Sequence, residues 1–280
     1  MRGSVRTVSR THGRVLIIAG SDSGGGAGIQ GDIKTVTALS GYAMTAITAL
    51  TAQNTLGVAS VYGIPPEFIA EQIRVTVSDL GVDCIKIGML HSAEVIDAVA
   101  DTIEAECPGV PLVLDPVMVA KGGASLLAHD AITTFKRRLP VLATIMTPNV
   151  PEAEVLTGLK IGDVDAAEHA AMMLPTLGAS AVLLKGGHMP GNVVEDLLVD
   201  ASGLRRLRHP RIETGHTHGT GCTLASAIAT GLAQGLDLDR SVDRAIAYVW
   251  RAIETAPKLG QGHGPLNHAH TVRPFTGKDD

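Results

Sequence analysis

The sequence predicts an α/β fold in which a mainly parallel central sheet has helices on both faces and an antiparallel hairpin at one edge. Strand-length apolar runs alternate with segments of helical periodicity from Arg14 onward. The runs are apolar on both faces, as are strands buried between two layers of helices. The 280 residues can bury one large core, and no repeat or long linker divides them.

The predicted elements alternate along the chain. The predicted parallel strands cover 15–19, 45–52, 82–87, 111–114, 142–146 and 181–184. The predicted helices cover 29–39, 66–80, 93–106, 131–139, 165–177, 223–234 and 241–256. Residues 193–212 contain two strand-like runs around Ser202-Gly203, which predicts the edge hairpin. We therefore expect a flexible N-terminal leader at 1–13, a single α/β domain at 14–270 and a C-terminal tail at 271–280.

Composition excludes several classes of protein. Hydrophobic residues make up 45% and charged residues 18%, which is typical of a globular chain. Aromatic residues make up 2%, too few for a platform that stacks single-stranded nucleic acid. The net charge of −5 argues against binding nucleic acid or an anionic membrane. Three cysteines cannot build a disulfide framework, so the sequence predicts a protein of the reducing cytoplasm.

Polar or glycine-rich residues follow six predicted strands. They are Asp22, Gln53, Gly88, Asp115, Asn149 and Lys185. In open parallel sheets the ligand binds outside the carboxyl ends of the strands. The sequence therefore predicts a ligand site along that edge of the sheet.

The glycine-rich loop at 21–32 matches two nucleotide-binding motifs only in part. Gly26, Gly28 and Gly31 have the dinucleotide-fingerprint spacing, but no acidic residue lies between Asp32 and Glu67 to bind a ribose about 20 residues further on. A P-loop would need lysine where Asp32 stands, and a carboxylate there would repel phosphate. Asp22 and Asp32 suit a neutral ligand that donates hydrogen bonds. Helix capping and dipole complementation by Asp32 explain that residue equally well.

The turn at 217–223, followed by a helix of small residues, is the strongest local signal. Gly219, Thr220 and Gly221 would leave several backbone N–H groups free at a helix N-terminus, which forms an anion hole for a transferring phosphoryl group. Cys222 would lie in the first helical turn, where a thiol pKa is lowered. A thiolate there could accept the proton of a substrate hydroxyl. The alternative is that Cys222 is a packed helix residue, and the preceding turn favours the functional interpretation.

At these motifs the chain resembles the bacterial hydroxymethylpyrimidine/phosphomethylpyrimidine kinases of thiamine biosynthesis, in the ribokinase-like superfamily. The resemblance covers residues 15–268. The motifs that carry it are IAGSD at 18–22, GGAGIQ at 25–30, TALTAQNT at 48–55, KIGML at 86–90, DPVM at 115–118, TPNVPEA at 147–153, KGGH at 185–188 and THGTGC at 217–222. The cysteine is especially specific, because ribokinase-like sugar kinases carry aspartate at that position.

The resemblance implies a role for each matched residue. Gln53 and Asp32 would hydrogen-bond the aminopyrimidine substrate, and Gly20 and Met89 would line its pocket. The other implied roles concern ATP, Mg²⁺ and catalysis. Asn149 and Glu152 would position Mg²⁺, partly through water, and Asp115 would lie near the phosphate and the metal. Lys185 would contact the nucleotide phosphates. The anion hole would be formed by Gly219, Thr220 and Gly221, and Cys222 would be the base. The resemblance also implies a homodimer.

Two alternative functions follow from the same residues. A pyridoxal or pyridoxine kinase of the same superfamily would use the same chemistry on a ring-bound CH₂OH group. A non-catalytic pyrimidine-binding module would need the ring pocket, but it would not need Lys185 or Cys222. Two further expectations concern segments outside the site motifs. Residues 118–125 are predicted to form a mobile flap, and His263, His268 and His270 are predicted to lie in a solvated tail.

Overall fold

The computed structural model describes residues 12–118 and 131–277. Most of the predicted leader at 1–13 and of the predicted flap at 118–125 lies outside these ranges. The strands are β1 Arg14–Asp22, β2 Tyr42–Asn54, β3 Gly57–Gly63, β4 Cys84–Ile87, β5 Leu112–Leu114, β6 Ile145–Met146, β7 Val182–Leu184, β8 Val193–Asp200 and β9 Gly203–Pro210. The helices are α1 Gly28–Ala38, α2 Pro66–Leu80, α3 Ala93–Glu106, α4 Ala131–Arg138, α5 Val150–Thr157, α6 Val164–Met173, α7 Thr220–Ala233 and α8 Leu238–Glu254.

The nine strands form one sheet in the order β3-β2-β1-β4-β5-β6-β7-β8-β9. All neighbours from β2 to β7 run parallel. The hairpin of β8 and β9 pairs antiparallel with β7, as predicted. At the opposite edge β3 pairs antiparallel with β2, and the sequence analysis did not predict this strand. The predicted class, a mainly parallel sheet with an antiparallel edge hairpin, is therefore confirmed.

Helices cover both faces of the sheet and form two cores. Helices α2 to α6 pack on one face, where Ile69, Ile96 and Phe135 meet the side chains of the central strands. Helices α1, α7 and α8 pack on the other face, around residues such as Val36 and Ile228. All four residues of β4 are buried, because this strand is central and covered on both sides. The chain order reverses between β1 and β4, so the ends of these two strands flank a crevice.

Several predicted elements differ from the structure in extent, and a proline explains two of the differences. The strand predicted at 142–146 is reduced to two residues, because Pro140 begins a 3₁₀ turn that includes Leu142. The helix predicted at 165–177 ends at Met173 and continues as a 3₁₀ turn, since Pro175 has no N–H for the α-helical ladder. Helix α7 begins at Thr220, three residues earlier than predicted.

Candidate active site

A cavity of about 740 Å³ lies at the carboxyl ends of the strands, beside the point where the strand order reverses. The structure brings all but one of the predicted site residues to its wall. They are Gly20, Gln53, Met89, Asp115, Asn149, Glu152, Lys185, Gly219, Thr220, Gly221 and Cys222. These residues come from distant parts of the sequence and meet because parallel strands end at the same edge of the sheet.

The N-terminus of α7 forms one wall of the cavity. Its N-cap residue Gly219 has φ 85°, and a Cβ there would overlap the carbonyl oxygen of Gly26, so only glycine fits. Gly221 lies close to charged groups, since a Cβ on it would be 3.2 Å from Lys185 Nζ and 3.6 Å from Asp115 Oδ2. The first N–H groups of a helix lack intrahelical partners and lie at the positive end of its dipole. This wall can therefore hold a phosphoryl group beside Lys185.

Cys222 lies in the first turn of α7 and faces the cavity, as predicted. Its thiol differs from the expectation, because burial raises its pKa to about 12. The charge of Lys86 and the N–H of Gly28 oppose this effect, while the carboxylates of Asp32 and Asp115 add to it. A lowered pKa of the Cys222 thiol was expected only because of its position at a helix N-terminus. The structure adds burial and two nearby acids, and these outweigh the dipole, so the thiol is neutral at pH 7.

Asp32 does not contact the cavity, which corrects its expected role as a ring contact. Its side chain is 0% exposed, and its Oδ2 lies 2.8 Å from Lys86 Nζ. Its Oδ1 accepts a hydrogen bond of 2.7 Å from Ser226 Oγ on α7. Both carboxylate oxygens are therefore engaged within the protein. Asp32 holds Lys86 at the base of the site and links α1 to α7.

Lys86 is a site residue that the sequence analysis missed. It lies in the central strand β4, has no exposed side-chain surface and lines the cavity. Burial opposes its charge, but the nearby carboxylates, chiefly that of Asp32, raise its pKa above the usual value, so it is a cation. The sequence pattern gave little sign of this role. A single lysine within a mostly apolar strand does not by itself indicate a function. The KIGML motif was the one available signal.

Asp115, Lys185 and Glu152 form the charged end of the cavity. Lys185 Nζ lies 2.9 Å from Asp115 Oδ1 and 3.9 Å from Glu152 Oε2. Thr147 Oγ1 donates a further hydrogen bond of 3.1 Å to Asp115 Oδ1. Burial raises the pKa of Glu152 to about 7, although Lys185 opposes the shift. The buried carboxyl groups of Asp115 and Glu152 have one lysine between them. A further cation would therefore be attracted to this end of the cavity.

Asn149 and Glu152 begin α5 as a capping box, a role that the sequence analysis did not foresee. Asn149 Oδ1 accepts a hydrogen bond of 2.9 Å from the Glu152 N–H, and Glu152 Oε2 accepts one of 2.8 Å from the Asn149 N–H. The reciprocal bonds satisfy two backbone donors at the helix start. Within the described ranges, no three side chains of histidine, cysteine, aspartate or glutamate cluster as a metal site.

The opposite end of the cavity combines apolar and amide groups. A Cβ on Gly20 would lie 3.1 Å from Met89 Sδ, so the small residue leaves space beside the methionine. Thr48 Oγ1 donates a hydrogen bond of 2.7 Å to the Met89 carbonyl, which fixes this loop. Gln53 lines the same region at the end of β2. A flat ring with polar edges fits between a thioether and an amide of this kind.

Asp22 and His218 complete this end of the cavity. His218 Nε2 lies 2.8 Å from Asp22 Oδ2, and both residues line the cavity. Burial acts to raise the pKa of Asp22, but hydrogen bonds from His218 and the backbone outweigh it and lower the pKa. Both residues lie within motifs of the sequence, but their contact could not be predicted, because 195 residues lie between them.

His268 contradicts the predicted solvated tail. It is 5% exposed, its Nε2 lies 3.0 Å from Thr223 Oγ1, and its carbonyl accepts a hydrogen bond of 2.6 Å from the Tyr248 hydroxyl. Burial lowers its pKa to about 4, so the imidazole is neutral and packs as part of the core. The sequence offered no signal for this packing, since the segment has no periodic pattern.

Comparisons with known proteins agree with this geometry. Residues 22–267 match the family model described as phosphomethylpyrimidine kinase. The chain is 47% identical over 256 residues to the hydroxymethylpyrimidine/phosphomethylpyrimidine kinase of Bacillus subtilis, covering 91% of this chain and 94% of that protein. It is 53% identical over 256 residues to the thiamine biosynthesis bifunctional protein ThiED of Geobacter sulfurreducens, covering 91% of this chain and 52% of that longer protein.

Solved structures give the same fold. The crystal structure of an ADP complex of Bacillus subtilis pyridoxal kinase superposes with a TM-score of 0.85 at 35% identity, covering 92% of this chain and 97% of that one. In the part of this chain that the structure describes, no helix is both long and apolar enough to cross a membrane.

Proposed function

Because this chain belongs to the phosphomethylpyrimidine kinase family and is a kinase, we propose that it transfers phosphate from ATP to an aminopyrimidine in two steps. The first step phosphorylates the hydroxymethyl group of 4-amino-5-hydroxymethyl-2-methylpyrimidine, and the second phosphorylates that monophosphate to the diphosphate for thiamine biosynthesis. The observation that carries the proposal is the position of the α7 N-terminus beside Lys185. It provides backbone donors and a cation at one end of a cavity whose other end suits a small polar ring.

The phosphoryl group would lie between the α7 turn and Lys185. Phosphoryl transfer needs chiefly the alignment of nucleophile and leaving group, together with stabilisation of charge on the phosphoryl oxygens. The N–H groups of Gly219, Thr220 and Gly221 supply donors at fixed positions. Lys185, which Asp115 holds at 2.9 Å, supplies a positive charge for the nucleotide phosphates.

The acidic residues of the same end fit a hard cation. Asp115 and Glu152 are buried oxygen donors that share one lysine, and burial raises the pKa of Glu152 to about 7 although Lys185 lies 3.9 Å away. Oxygen ligands and water are what Mg²⁺ prefers, with substrate phosphates completing its shell. We assign Glu152, Asp115 and Asn149 to hold Mg²⁺, in part through water. Mg²⁺ bound there would neutralise charge on the phosphates.

Cys222 would act as the general base in the first step. Its thiol is neutral at pH 7, so the reactive species is the small thiolate fraction, which the cation of Lys86 favours. The alcohol must lose its proton as the new P–O bond forms, and that proton would go to Sγ. The second step has an ionised phosphate as nucleophile and needs no base, since the second pKa of a phosphate ester is near 6.

Pyridoxal phosphorylation is a second candidate activity. It is favoured by the structural similarity to the B. subtilis pyridoxal kinase, at 35% identity, against 47% to the pyrimidine kinase of the same species. Both substrates carry a CH₂OH group on a six-membered ring. A binding module without catalysis is disfavoured, because a ring binder needs neither Lys185 nor Cys222.

The test is an assay of ADP release by the purified chain with Mg²⁺-ATP and, separately, the aminopyrimidine, pyridoxal and ribose. We expect the aminopyrimidine to give the largest kcat/KM, pyridoxal a smaller one and ribose none above background. Preference for pyridoxal would overturn the pyrimidine assignment. ADP release with none of the three, from protein that binds the aminopyrimidine, would support the binding module instead.

We also propose that the chain is a homodimer in the cytoplasm. In the part of the chain that the structure describes, β3 is the edge strand of the sheet, and Tyr62 on it is 69% exposed. Leu50, Leu56 and Val61 add further exposed apolar surface at this edge. Such a surface favours contact with another chain. All three cysteines are free, which suits a reducing compartment.

A further inference from the structure

The side-chain amide of Gln53 lies between two polar neighbours at the ring end of the cavity. On one side its Nε2 lies 3.4 Å from His218 Nε2. On the other side its Oε1 lies 3.1 Å from Thr51 Oγ1. An amide can exchange its two terminal atoms by a half-turn without moving the rest of the side chain. The neighbours therefore determine which terminal atom lies on each side.

His218 requires the amide oxygen on its side. Asp22 Oδ2 lies 2.8 Å from His218 Nε2 and already accepts a hydrogen bond of 2.9 Å from the Ala27 N–H. Asp22 is ionised, since its pKa is lowered, and it can only accept hydrogen bonds. Nε2 of His218 must therefore carry a proton and be a donor. That proton is directed at Asp22 Oδ2 and leaves Nε2 without a lone pair, so an amide N–H₂ on this side would find no acceptor and would be repelled, whereas an amide oxygen can accept a share of the same N–H.

Thr51 requires the amide nitrogen on its side. Thr51 Oγ1 lies 2.8 Å from the carbonyl oxygen of Ser21, which can only accept. The single hydroxyl proton of Thr51 is therefore committed to Ser21. Towards Gln53 the hydroxyl oxygen can only accept, so it pairs with the amide N–H₂. Two independent neighbours thus demand the same orientation.

We propose that the Asp22–His218 pair, together with Thr51, holds the Gln53 amide turned by this half-turn, with its oxygen towards His218 and its nitrogen towards Thr51, and so selects an aminopyrimidine edge in a single orientation. The inference rests on the proposed function. The amide then presents one N–H and one oxygen side by side. This pattern complements a ring nitrogen next to an exocyclic amine, as in the pairing of glutamine or asparagine with adenine. Asp22 and His218 are positioning residues, because they act through Gln53.

The orientation also directs the reacting group. With the amide oxygen on the His218 side, the exocyclic amine of the ring must lie on that side and the ring nitrogen on the Thr51 side. The hydroxymethyl group is attached to the carbon next to the amine-bearing carbon, away from that ring nitrogen. It therefore points past His218, the residue that directly precedes the Gly219 turn in the chain. The reversed amide would bind the ring with its hydroxymethyl group pointing past Thr51 instead.

The experiment compares the aminopyrimidine with its 4-oxo analogue, which has a carbonyl in place of the amine and a hydrogen on the adjacent ring nitrogen. In the ring orientation that keeps the hydroxymethyl group on the His218 side, the analogue offers the opposite donor and acceptor pattern and requires the reversed amide. Dissociation constants are measured by calorimetry for the wild type and for His218→Leu, His218→Gln, Thr51→Val and Ser23→Ala. Ser23→Ala is the matched control, because Ser23 Oγ bonds only the backbone of Gln53, at 2.9 Å to both N–H and carbonyl.

We expect the wild type to bind the amino compound at least 100-fold more tightly than the oxo compound. His218→Leu and Thr51→Val should each reduce this preference at least tenfold, because one constraint on the amide is gone. His218→Gln should restore most of it, because its amide N–H can replace the imidazole donor. Ser23→Ala should weaken both ligands by a similar factor and leave the preference intact.

The results distinguish this inference from the proposed function. A wild type that neither binds nor phosphorylates the aminopyrimidine would overturn the proposed function. A wild type that prefers the amino compound, with His218→Leu and Thr51→Val weakening both ligands equally, would overturn the role of the pair and leave the kinase assignment intact. If His218→Leu fails to fold, Thr51→Val alone decides the inference.

Discussion

Cys222 shows how burial and a helix terminus compete for the same side chain. The α7 N-terminus favours a thiolate, and so does Lys86. The surrounding protein and the carboxylates of Asp32 and Asp115 disfavour it, and their combined effect raises the pKa to about 12. A base with a high pKa is strong but scarce at pH 7. Its contribution to the rate therefore grows with pH over the whole accessible range.

This account predicts the pH dependence of Cys222 alkylation. Because the raised pKa of about 12 lies above the accessible pH range, the thiolate fraction should increase about tenfold per pH unit from pH 7 to pH 9. The rate of modification by iodoacetamide, followed by mass spectrometry of the Cys222 peptide, should rise in parallel without a plateau. Cys222→Ala provides the blank for the buried Cys84 and Cys107. A plateau below pH 8 would instead restore the lowered pKa.

The Asp32–Lys86 pair predicts a stability effect that a ring contact would not produce. Asp32→Asn leaves the buried Lys86 ammonium without its partner, and loss of one member of a buried pair costs about 3–5 kcal/mol. Urea unfolding of the empty protein should show this loss. The double variant Asp32→Asn/Lys86→Met should recover much of the stability, since no unpaired charge remains. An unchanged unfolding free energy for Asp32→Asn would return Asp32 to the substrate contacts.

Helix α5 combines a structural and a proposed binding role in one short element. Its first turn is stabilised by the reciprocal bonds of Asn149 and Glu152, and the same carboxylate lies 3.9 Å from Lys185 in the cavity. The sequence analysis found these residues through the TPNVPEA motif but predicted no helix there. A helix of eight residues with proline in its first turn has too little periodicity to be recognised.

Substitutions at Asn149 and Glu152 separate the two roles. Asn149→Ala removes the cap and should cost about 1 kcal/mol of unfolding free energy, whereas Asn149→Asp keeps a capping oxygen and should cost less. Glu152→Gln should raise the Mg²⁺ concentration needed for half-maximal activity, because it removes a charge from the proposed site. Thermal unfolding and Mg²⁺ titration of turnover measure the two effects. An unchanged Mg²⁺ requirement for Glu152→Gln would confine Glu152 to capping.

The sequence predicted the strands and helices better than the contacts between them. Long periodic segments such as α2 and α3 have the predicted ends, because their apolar positions repeat over several turns. The edge strand β3 was missed, since none of its residues is buried and it therefore lacks a buried face. Asp32 was misassigned because its contacts within the protein could not be predicted from the sequence. Its partner Lys86 is 54 positions away, and only the fold reveals that the two carboxylate oxygens are already engaged.

The topology of the whole molecule explains why most site residues could nevertheless be predicted. The parallel strands end at one edge, and the reversal of strand order between β1 and β4 opens the crevice there. Residues that follow strand ends are therefore neighbours in space whatever their separation in sequence. The positions after the strand ends do not include Lys86, because it lies within β4, although it lines the cavity.

The exposed edge of β3 gives a prediction about assembly. Light scattering coupled to size exclusion should give a mass about twice the 29.0 kDa of one chain. Tyr62→Asp, which introduces a charge at a side chain that is 69% exposed, should give the mass of one chain without unfolding it. Phe275→Asp is a matched control at another exposed aromatic residue and should leave the mass unchanged. A wild type with the mass of a single chain would contradict the homodimer.

The most direct test of the account is the turnover of Cys222→Ala on the alcohol and on the monophosphate, measured separately with saturating Mg²⁺-ATP. The alcohol step should fall about 10²–10⁴-fold, because it loses its general base, and should lose its rise with pH. The monophosphate step should fall far less, since its nucleophile is already ionised and the Gly219–Gly221 backbone remains. If both steps fall by the same factor, Cys222 is a structural part of the anion hole and the assignment of the base is wrong.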